Sequence, residues 1–185
     1  MTPNEPTVLV VDDERGIRDL IHAWLQDDYT VRVAGDGRAA IDLLDDSIDL
    51  ALLDRRMPGV TGDEVLATIR EEGYDFPVAM ITAVSPDVDI VDMAFDDYVV
   101  KPVTKEEVRA VVETLIQRAS YDQKSREFFR LASKKAKLEA SETVDHRGSE
   151  EYDRLVEKMA TIREDLDDVL GDLSTSDFRR AFEEI

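Results

Sequence analysis

The sequence predicts an α/β domain, a doubly wound five-stranded parallel sheet, followed by an all-α helical hairpin or coiled-coil segment. From residue 7 to about 119, short aliphatic or β-branched runs alternate with amphipathic stretches, five pairs in all. That is the pattern of repeated strand–helix units. Crossovers of this length demand parallel strands with helices on both faces. Beyond about 119 the strand-like runs cease, and the chain becomes charged, helical and nearly free of glycine.

In chain order, strands are expected at 7–11, 30–34, 50–54, 78–82 and 98–101. The first helix carries Ile17, Leu20, Ile21, Trp24 and Leu25 at steps of three and four, one apolar face. The second uses Ala40, Ile41 and Leu44, and the third starts near Thr61-Gly62 and buries Val65, Leu66 and Ile69. A fourth must fit between Ser85 and Asp97 together with its turns, so a short or irregular element is expected. Pro86 and Asp87 to Asp89 suit its start, with Val88, Val91 and Phe95 as its buried stripe. Thr104 caps the fifth, Glu106 and Glu107 follow it, and Val108, Val111, Val112 and Leu115 face inward.

The 185 residues allow one full domain and a smaller appendage, and 43% apolar content suits a folded chain. The net charge of −20 predicts solubility and self-repulsion that concentrated salt would screen, hence a salt-rich, halophilic cytoplasm. The absence of cysteine excludes disulfides, thiolate metal sites and a cysteine nucleophile. His22 and His146 are far apart, with no second ligand at metal spacing. No basic leader and no apolar run of membrane-spanning length is visible, so a cytoplasmic location is expected and no membrane partner.

Polar residues close four of the apolar runs. Asp12-Asp13 follow Val8 to Val11, Asp54 follows Leu50 to Leu53, Thr82 follows Val78 to Ile81, and Lys101 follows Tyr98 to Val100. In a parallel sheet these ends share one edge, so acids, hydroxyl and amine converge. Clustered carboxylates share protons or bind a cation, and Mg²⁺ with its hard oxygen ligands suits Asp12, Asp13 and Asp54. Asp54 is then placed to attack a phosphoryl donor and become an aspartyl phosphate. The cation and Lys101 would stabilise the phosphoryl oxygens, and Thr82 would donate a hydrogen bond.

Val10-Val11-Asp12-Asp13-Glu14, Leu53-Asp54-Arg55-Arg56-Met57-Pro58-Gly59, Ile81-Thr82-Ala83 and Tyr98-Val99-Val100-Lys101-Pro102 follow, in order, the motifs of a known family. The chain resembles the receiver domain of two-component response regulators over roughly its first two-thirds. The resemblance implies a flavodoxin-like fold and a phosphorelay in which Asp54 takes phosphate from a sensor histidine kinase. It also implies Mg²⁺ held by Asp12, Asp13, Asp54 and the Arg56 backbone carbonyl, a salt-bridging Lys101, and Tyr98 as the aromatic that turns inward when Thr82 engages the phosphoryl group. Such a protein is a phosphoryl acceptor and not a turnover enzyme for an external substrate. The stretch from Thr82 to Lys101 is shorter than usual for the family, and Phe95-Asp96-Asp97 stands where a glycine is customary. Both departures bear on the switching surface.

Residues 1–119 are therefore read as a receiver and 120–185 as a helical output or dimerisation domain. The last receiver helix is expected to continue past Tyr121 to about Glu142, carrying Phe128, Phe129, Leu131, Ala132, Ala136 and Leu138. His146 to Ser149 should break it, with Ser149 capping a helix whose Tyr152, Leu155, Met159, Ile162, Leu166, Val169 and Leu173 form a coiled-coil seam. The seam can close a hairpin within the chain or a homodimer between chains. Ser174 to Asp177 reads as the cap of a last helix bearing Phe178, Ala181, Phe182 and Ile185. The segment resembles the HalX-type helical region found behind receivers in halophilic archaea, in Leu131 to Ala136, Glu150-Glu151-Tyr152 and Asp177-Phe178.

The alternative output is DNA binding by a transcriptional regulator, for which Lys124, Arg126, Arg130, Lys134, Lys135 and Lys137 make a locally basic stretch. The acidity of the chain and of the segment weighs against it, and pairing of these cations with acids of the second helix competes with it. A phosphoryl hydrolase on the same sheet edge is a third reading, opposed by the lack of a substrate-binding insertion after Asp54.

Overall fold

A computed structural model describes residues 5–85, 90–139 and 149–183, the last helix by backbone alone beyond residue 167. The elements are β1 Thr7–Val11, α1 Arg15–Leu25, β2 Thr30–Ala34, α2 Gly37–Asp42, β3 Leu50–Leu53, α3 Gly62–Glu71, β4 Val78–Thr82, β5 Asp97–Val100, α4 Lys105–Glu139 and α5 Glu150–Glu183. Two compact units divide at Ile116 and Gln117, within α4.

In the first unit the five strands pair in parallel in the order β2-β1-β3-β4-β5. β1, β3 and β4 are buried on both faces, and the edges β2 and β5 are partly open. The two-residue period of a strand divides their side chains between two cores. Leu9, Val11, Ala51, Leu53, Val78 and Met80 pack with Ala40, Val65, Leu66 and Ile69 of α2 and α3. Val8, Val10, Leu50, Leu52, Ala79 and Ile81 pack on the other side with Ile21 and Leu25 of α1 and with Val108, Val111, Val112 and Leu115 of α4.

Leu20 departs from the expected α1 stripe and is 44% exposed. At ~100° per residue it lies at least 100° from Ile21 and Leu25, which centre the buried face. The region expected to hold the short fourth helix is irregular where it is described. Pro86, Asp87, Val88 and Asp89 lie outside the described residues, and 90–96 contain no α-helix. Val91 is 79% exposed, against its expected place in a buried stripe. The segment's polar groups are held by partners elsewhere. Arg70 donates to the carbonyls of Ala94, Tyr74 and Phe76 and to Asp96 at 2.9–3.1 Å. Asp96 in turn accepts from the Val78 amide at 2.8 Å and donates its own amide to the Val78 carbonyl. These bonds seat the approach to β5 without a helix, and Phe95 stacks on Tyr98 at 5.5 Å.

The second unit is a helical hairpin. Ser149 accepts the Tyr152 amide at 3.2 Å and so caps α5. Lys124 pairs with Asp165 at 2.9 Å, Lys158 with Glu127 at 2.6 Å, and the Tyr152 hydroxyl donates to Glu139 at 2.7 Å. Leu131 and Ile162 are buried and Leu155, Met159 and Leu166 half-buried, so the seam faces α4 of the same chain. The expected break at Ser174 to Asp177 is absent, for α5 runs unbroken to Glu183. One glycine and two serines cost a helix only ~1 kcal/mol each or less, and no proline is there to interrupt it. His146, the expected break at 146–148, the side chains of Val169, Leu173, Phe178, Ala181 and Phe182, and Ile185 lie outside the described residues.

Candidate functional site

Register brings the strand ends together. Val11 pairs with Leu53, Leu53 with Met80, and Thr82 with Val100, so the residues that follow β1, β3 and β5 emerge on one edge beside Thr82. The Asp54 amide donates to the Val11 carbonyl at 2.8 Å and the Lys101 amide to the Thr82 carbonyl at 2.8 Å, which extends the sheet ladder to the site residues themselves.

Asp12, Asp54 and Thr82 are buried, whereas Asp13 is exposed. The Lys101 ammonium lies 2.6 Å from Asp12 Oδ2 and 2.8 Å from Asp54 Oδ2, with Glu14 at 3.9 Å. One oxygen of each acid has a second donor. Asp12 Oδ1 accepts the Glu14 amide at 2.9 Å, and Asp54 Oδ1 accepts the Arg56 amide at 3.3 Å. Burial pushes the Asp12 carboxyl up from its ordinary value, against the pull of Lys101 and the Glu14 amide. Burial works to lower the Lys101 ammonium, but its bonds to Asp12 and Asp54 outweigh it and hold the group above its usual range.

Ligand oxygens of Asp12, Asp13 and Asp54 lie within 4.8 Å of one another. The donor set is oxygen alone, which suits a hard divalent cation such as Mg²⁺. Its charge fits as well, since three carboxylates against one ammonium leave an excess that a dication balances.

The β3–α3 loop is fixed from below. Thr61 caps α3 in a reciprocal pair with Glu64, and the buried Arg55 guanidinium donates to Asp63 at 3.1 and 3.2 Å. Gly59 turns the chain with φ of 80°, a conformation that glycine adopts without steric cost. Gly62 donates its amide to the Arg55 carbonyl at 2.9 Å. A Cβ on Gly62 would stand 2.1 Å from the Asp54 carbonyl oxygen.

Tyr98, placed by sequence on the switching element, donates its hydroxyl to the Val84 carbonyl at 2.8 Å, while Thr82 Oγ1 accepts the Val84 amide at 3.3 Å. Both residues thus hold the same loop. Arg56 is exposed beside Asp54, and His22 stands apart from the acidic group. Sequence reasoning missed Arg18, whose guanidinium donates to the Asp12 carbonyl at 2.5 Å. It also missed the Arg55–Asp63 pair and the close approach of Gly62. A glycine directly behind a capping threonine was the visible signal for the last.

Comparison with known proteins agrees with this geometry. Residues 8–113 match the response regulator receiver domain, and residues 117–182 match the HalX domain. A putative transcriptional regulator of Haloferax volcanii is 45% identical over 160 residues, which are 86% of this chain and 28% of that protein. The transcriptional regulatory protein CpxR of Escherichia coli is 38% identical over 120 residues, 63% of this chain and 51% of the relative. This chain therefore corresponds to only part of these proteins' length. Among solved structures, the response regulator TrrA of Thermotoga maritima, in complex with Mg²⁺ and BeF, is 36% identical with a TM-score of 0.54. It aligns over 60% of this chain and 98% of its own. The chain belongs to the response regulator receiver family, and its receiver domain is followed by a HalX domain.

Proposed function

We propose that this protein accepts a phosphoryl group on Asp54 from a sensor histidine kinase and relays the change to its helical segment. The observation that carries the reading is the Lys101 ammonium bridging Asp12 and Asp54 beside a group of three carboxylates. An Asp54 carboxylate oxygen forms a bond to phosphorus as the phosphorus–nitrogen bond of a phosphohistidine breaks, and the electron pair leaves with the imidazole. Asp12, Asp13, Asp54 and the Arg56 carbonyl would hold Mg²⁺, which when bound would supply positive charge against the acids and the incoming phosphoryl oxygens. Lys101 stabilises those oxygens, and the Thr82 hydroxyl donates to one of them. Thr82 and Tyr98 form the switch: drawing the Thr82 hydroxyl toward the phosphoryl group competes with its bond to the Val84 amide, and Val84 is also what the Tyr98 hydroxyl holds.

On this reading the chain is a phosphoryl acceptor and not a turnover enzyme. We place its receiver at 1–119 and its output or dimerisation segment at 120–185, and its location in a salt-rich cytoplasm. Among the described residues no helix is long and apolar enough to cross a membrane. The relatives named as transcriptional regulators favour a gene-directed output. The seam of α5 already faces α4, which supports a hairpin within one chain over a homodimer through that seam. Incubation with a small phosphodonor and Mg²⁺ should label wild type and leave Asp54→Asn unlabelled; undiminished labelling of Asp54→Asn overturns the assignment. Solution mass, with and without donor, reads dimerisation in the same samples.

A further inference from the structure

The six cations of the α4 basic stretch divide into two sets. Lys124 and Lys135 are half-buried and pair with Asp165 and Glu139. Arg126, Arg130, Lys134 and Lys137 are exposed. At ~100° per residue these four fall within about 80° of one another, on a single flank centred away from Leu131. They span ~16 Å of helix. Apart from them, the exposed residues from 123 to 137 are Gln123, Phe129, Ser133 and Ala136, with no acid among them. Arg130 approaches the half-buried Glu127 at 3.6 Å, and Glu127 is itself held by Lys158 at 2.6 Å. Arg126, Lys134 and Lys137 make no ion pair among the described residues. An acid-free flank is unexpected in a chain with 43 acids and 23 lysines and arginines.

Exposed acids border the stripe on α4 itself, Asp122 one turn before Arg126 and Glu139 two residues after Lys137, and the hairpin's others among the described residues stand on α5. Asp153, Glu157 and Glu164 of α5 are exposed on the side of that helix opposite the buried Ile162. They belong to a different helix from the α4 flank, and in a salt-rich medium the Debye length shrinks to roughly 3 Å at 1 M, so they act on it weakly. A polyanion laid along α4 therefore meets four cations before it senses those acids. Phe129, 69% exposed at the margin of the stripe, adds an aromatic contact.

We propose that the exposed flank of α4 formed by Arg126, Arg130, Lys134 and Lys137 is a docking surface for the phosphate backbone of duplex DNA. This deepens the reading of the helical segment as the output element and rests on that reading. Four point contacts with no base-reading side chain identified give sequence-independent binding, with affinity falling as salt to a power of about 3.6.

The test is fluorescence anisotropy of a labelled mixed-sequence 30-bp duplex with the full chain, from 0.1 to 1 M KCl, with folding followed by circular dichroism. Wild type should bind, Arg126→Gln/Lys134→Gln should lower the salt exponent by about 2, and Arg126→Glu/Lys134→Glu should weaken binding at least tenfold at 0.1 M. All four sites are exposed, so helicity should not change. Glu157→Gln/Glu164→Gln should leave the exponent unchanged. No duplex binding by a folded wild type overturns the proposal, as does equal binding by the charge-reversed variant. Binding of poly-glutamate with the same exponent while duplex is ignored overturns it too, and assigns the flank to an acidic protein. Phosphoryl labelling in the same samples separates the readings: loss of duplex binding with Asp54 still labelled defeats only the surface, and unlabelled protein that still binds duplex defeats only the phosphoryl assignment.

Discussion

Gly62→Ala reverses the usual sign of a glycine-to-alanine change in a helix. In an unobstructed helix the change gains ~0.5–1 kcal/mol. Gly62 opens α3 at its first turn, and an alanine Cβ there would stand 2.1 Å from the Asp54 carbonyl oxygen, 2.9 Å from its carbonyl carbon and 3.0 Å from Arg55 Cα. All three are backbone atoms, so no side chain can rotate away. Either α3 or the Asp54–Arg55 backbone must retreat by roughly 1 Å, and overpacking of this kind costs ~1–3 kcal/mol. The helix gain offsets part of that, so a net loss of ~1–2 kcal/mol is expected. The shift falls on the peptide that sets Asp54, so Mg²⁺ affinity should drop along with stability. Gly16, in α1, has nothing within 4 Å of its virtual Cβ and serves as the internal control. Denaturant unfolding in molar KCl, with and without Mg²⁺, should show Gly16→Ala stabilised and Gly62→Ala destabilised. If both alanine variants gain stability equally, the close approach at Asp54 has no energetic meaning.

Lys101→Met removes the cation shared by two buried acids. Breaking such a pair costs ~3–5 kcal/mol, and a dication can replace the lost charge, so the variant should be strongly destabilised in EDTA and gain more from Mg²⁺ than wild type does. An equal Mg²⁺ increment in both proteins would refute it. The Ser47 hydroxyl, then Arg32 and the Ser47 amide, hold the Asp45 carboxyl down at about 2 from 3.8. A depressed folded-state value gives stability that is full above the unfolded value and lost as pH falls toward about 2. Thermal midpoints of wild type and Asp45→Asn should therefore differ above pH 4 and converge in acid; a difference that widens in acid contradicts the bonding at that turn. Self-repulsion at −20 should make stability rise with KCl, and a midpoint unchanged between 0.1 and 2 M would remove the salt-rich reading.

The features read correctly from the sequence are those that repeat or that end a run. β1 and β4 are bounded by where β-branched and aliphatic residues stop, and the polar residues at such stops, Asp12, Asp54, Thr82 and Lys101, gather at one edge of the sheet. The inner faces of α3 and the first turns of α4 were legible because Val65, Leu66, Ile69, Val108, Val111 and Val112 keep helical spacing. The approach to β5 was not, since its order depends on Arg70, which is remote in sequence and gathers three carbonyls and a carboxylate that no local pattern ties together. Ser174 to Asp177 has the composition of a helix cap, yet there local capping preference competes with an established helix ladder and loses. Leu20 shows the same limit on a smaller scale, for a five-residue apolar stripe is wider than the surface available to bury it.

Charge explains why the site is built from both acids and an amine. Without Lys101, Asp12 and Asp54 would face one another in a buried setting, and burial already raises the Asp12 carboxyl. With it, the two acids are bridged at 2.6 and 2.8 Å, yet Asp13 is left exposed at the rim. The remaining negative charge is what a divalent cation could balance, and under the proposed reading the same ammonium, 2.8 Å from Asp54, would meet the added negative charge there. Under the proposed phosphoryl transfer to Asp54, Lys101 could not serve Asp12, Asp54 and the new phosphoryl oxygens equally, so its bridge would loosen as charge is added. Its amide is bonded to the Thr82 carbonyl, and Tyr98 three residues earlier holds Val84. Under the proposed reading, loosening at the ammonium would reach β5 and the loop after β4 through these same bonds.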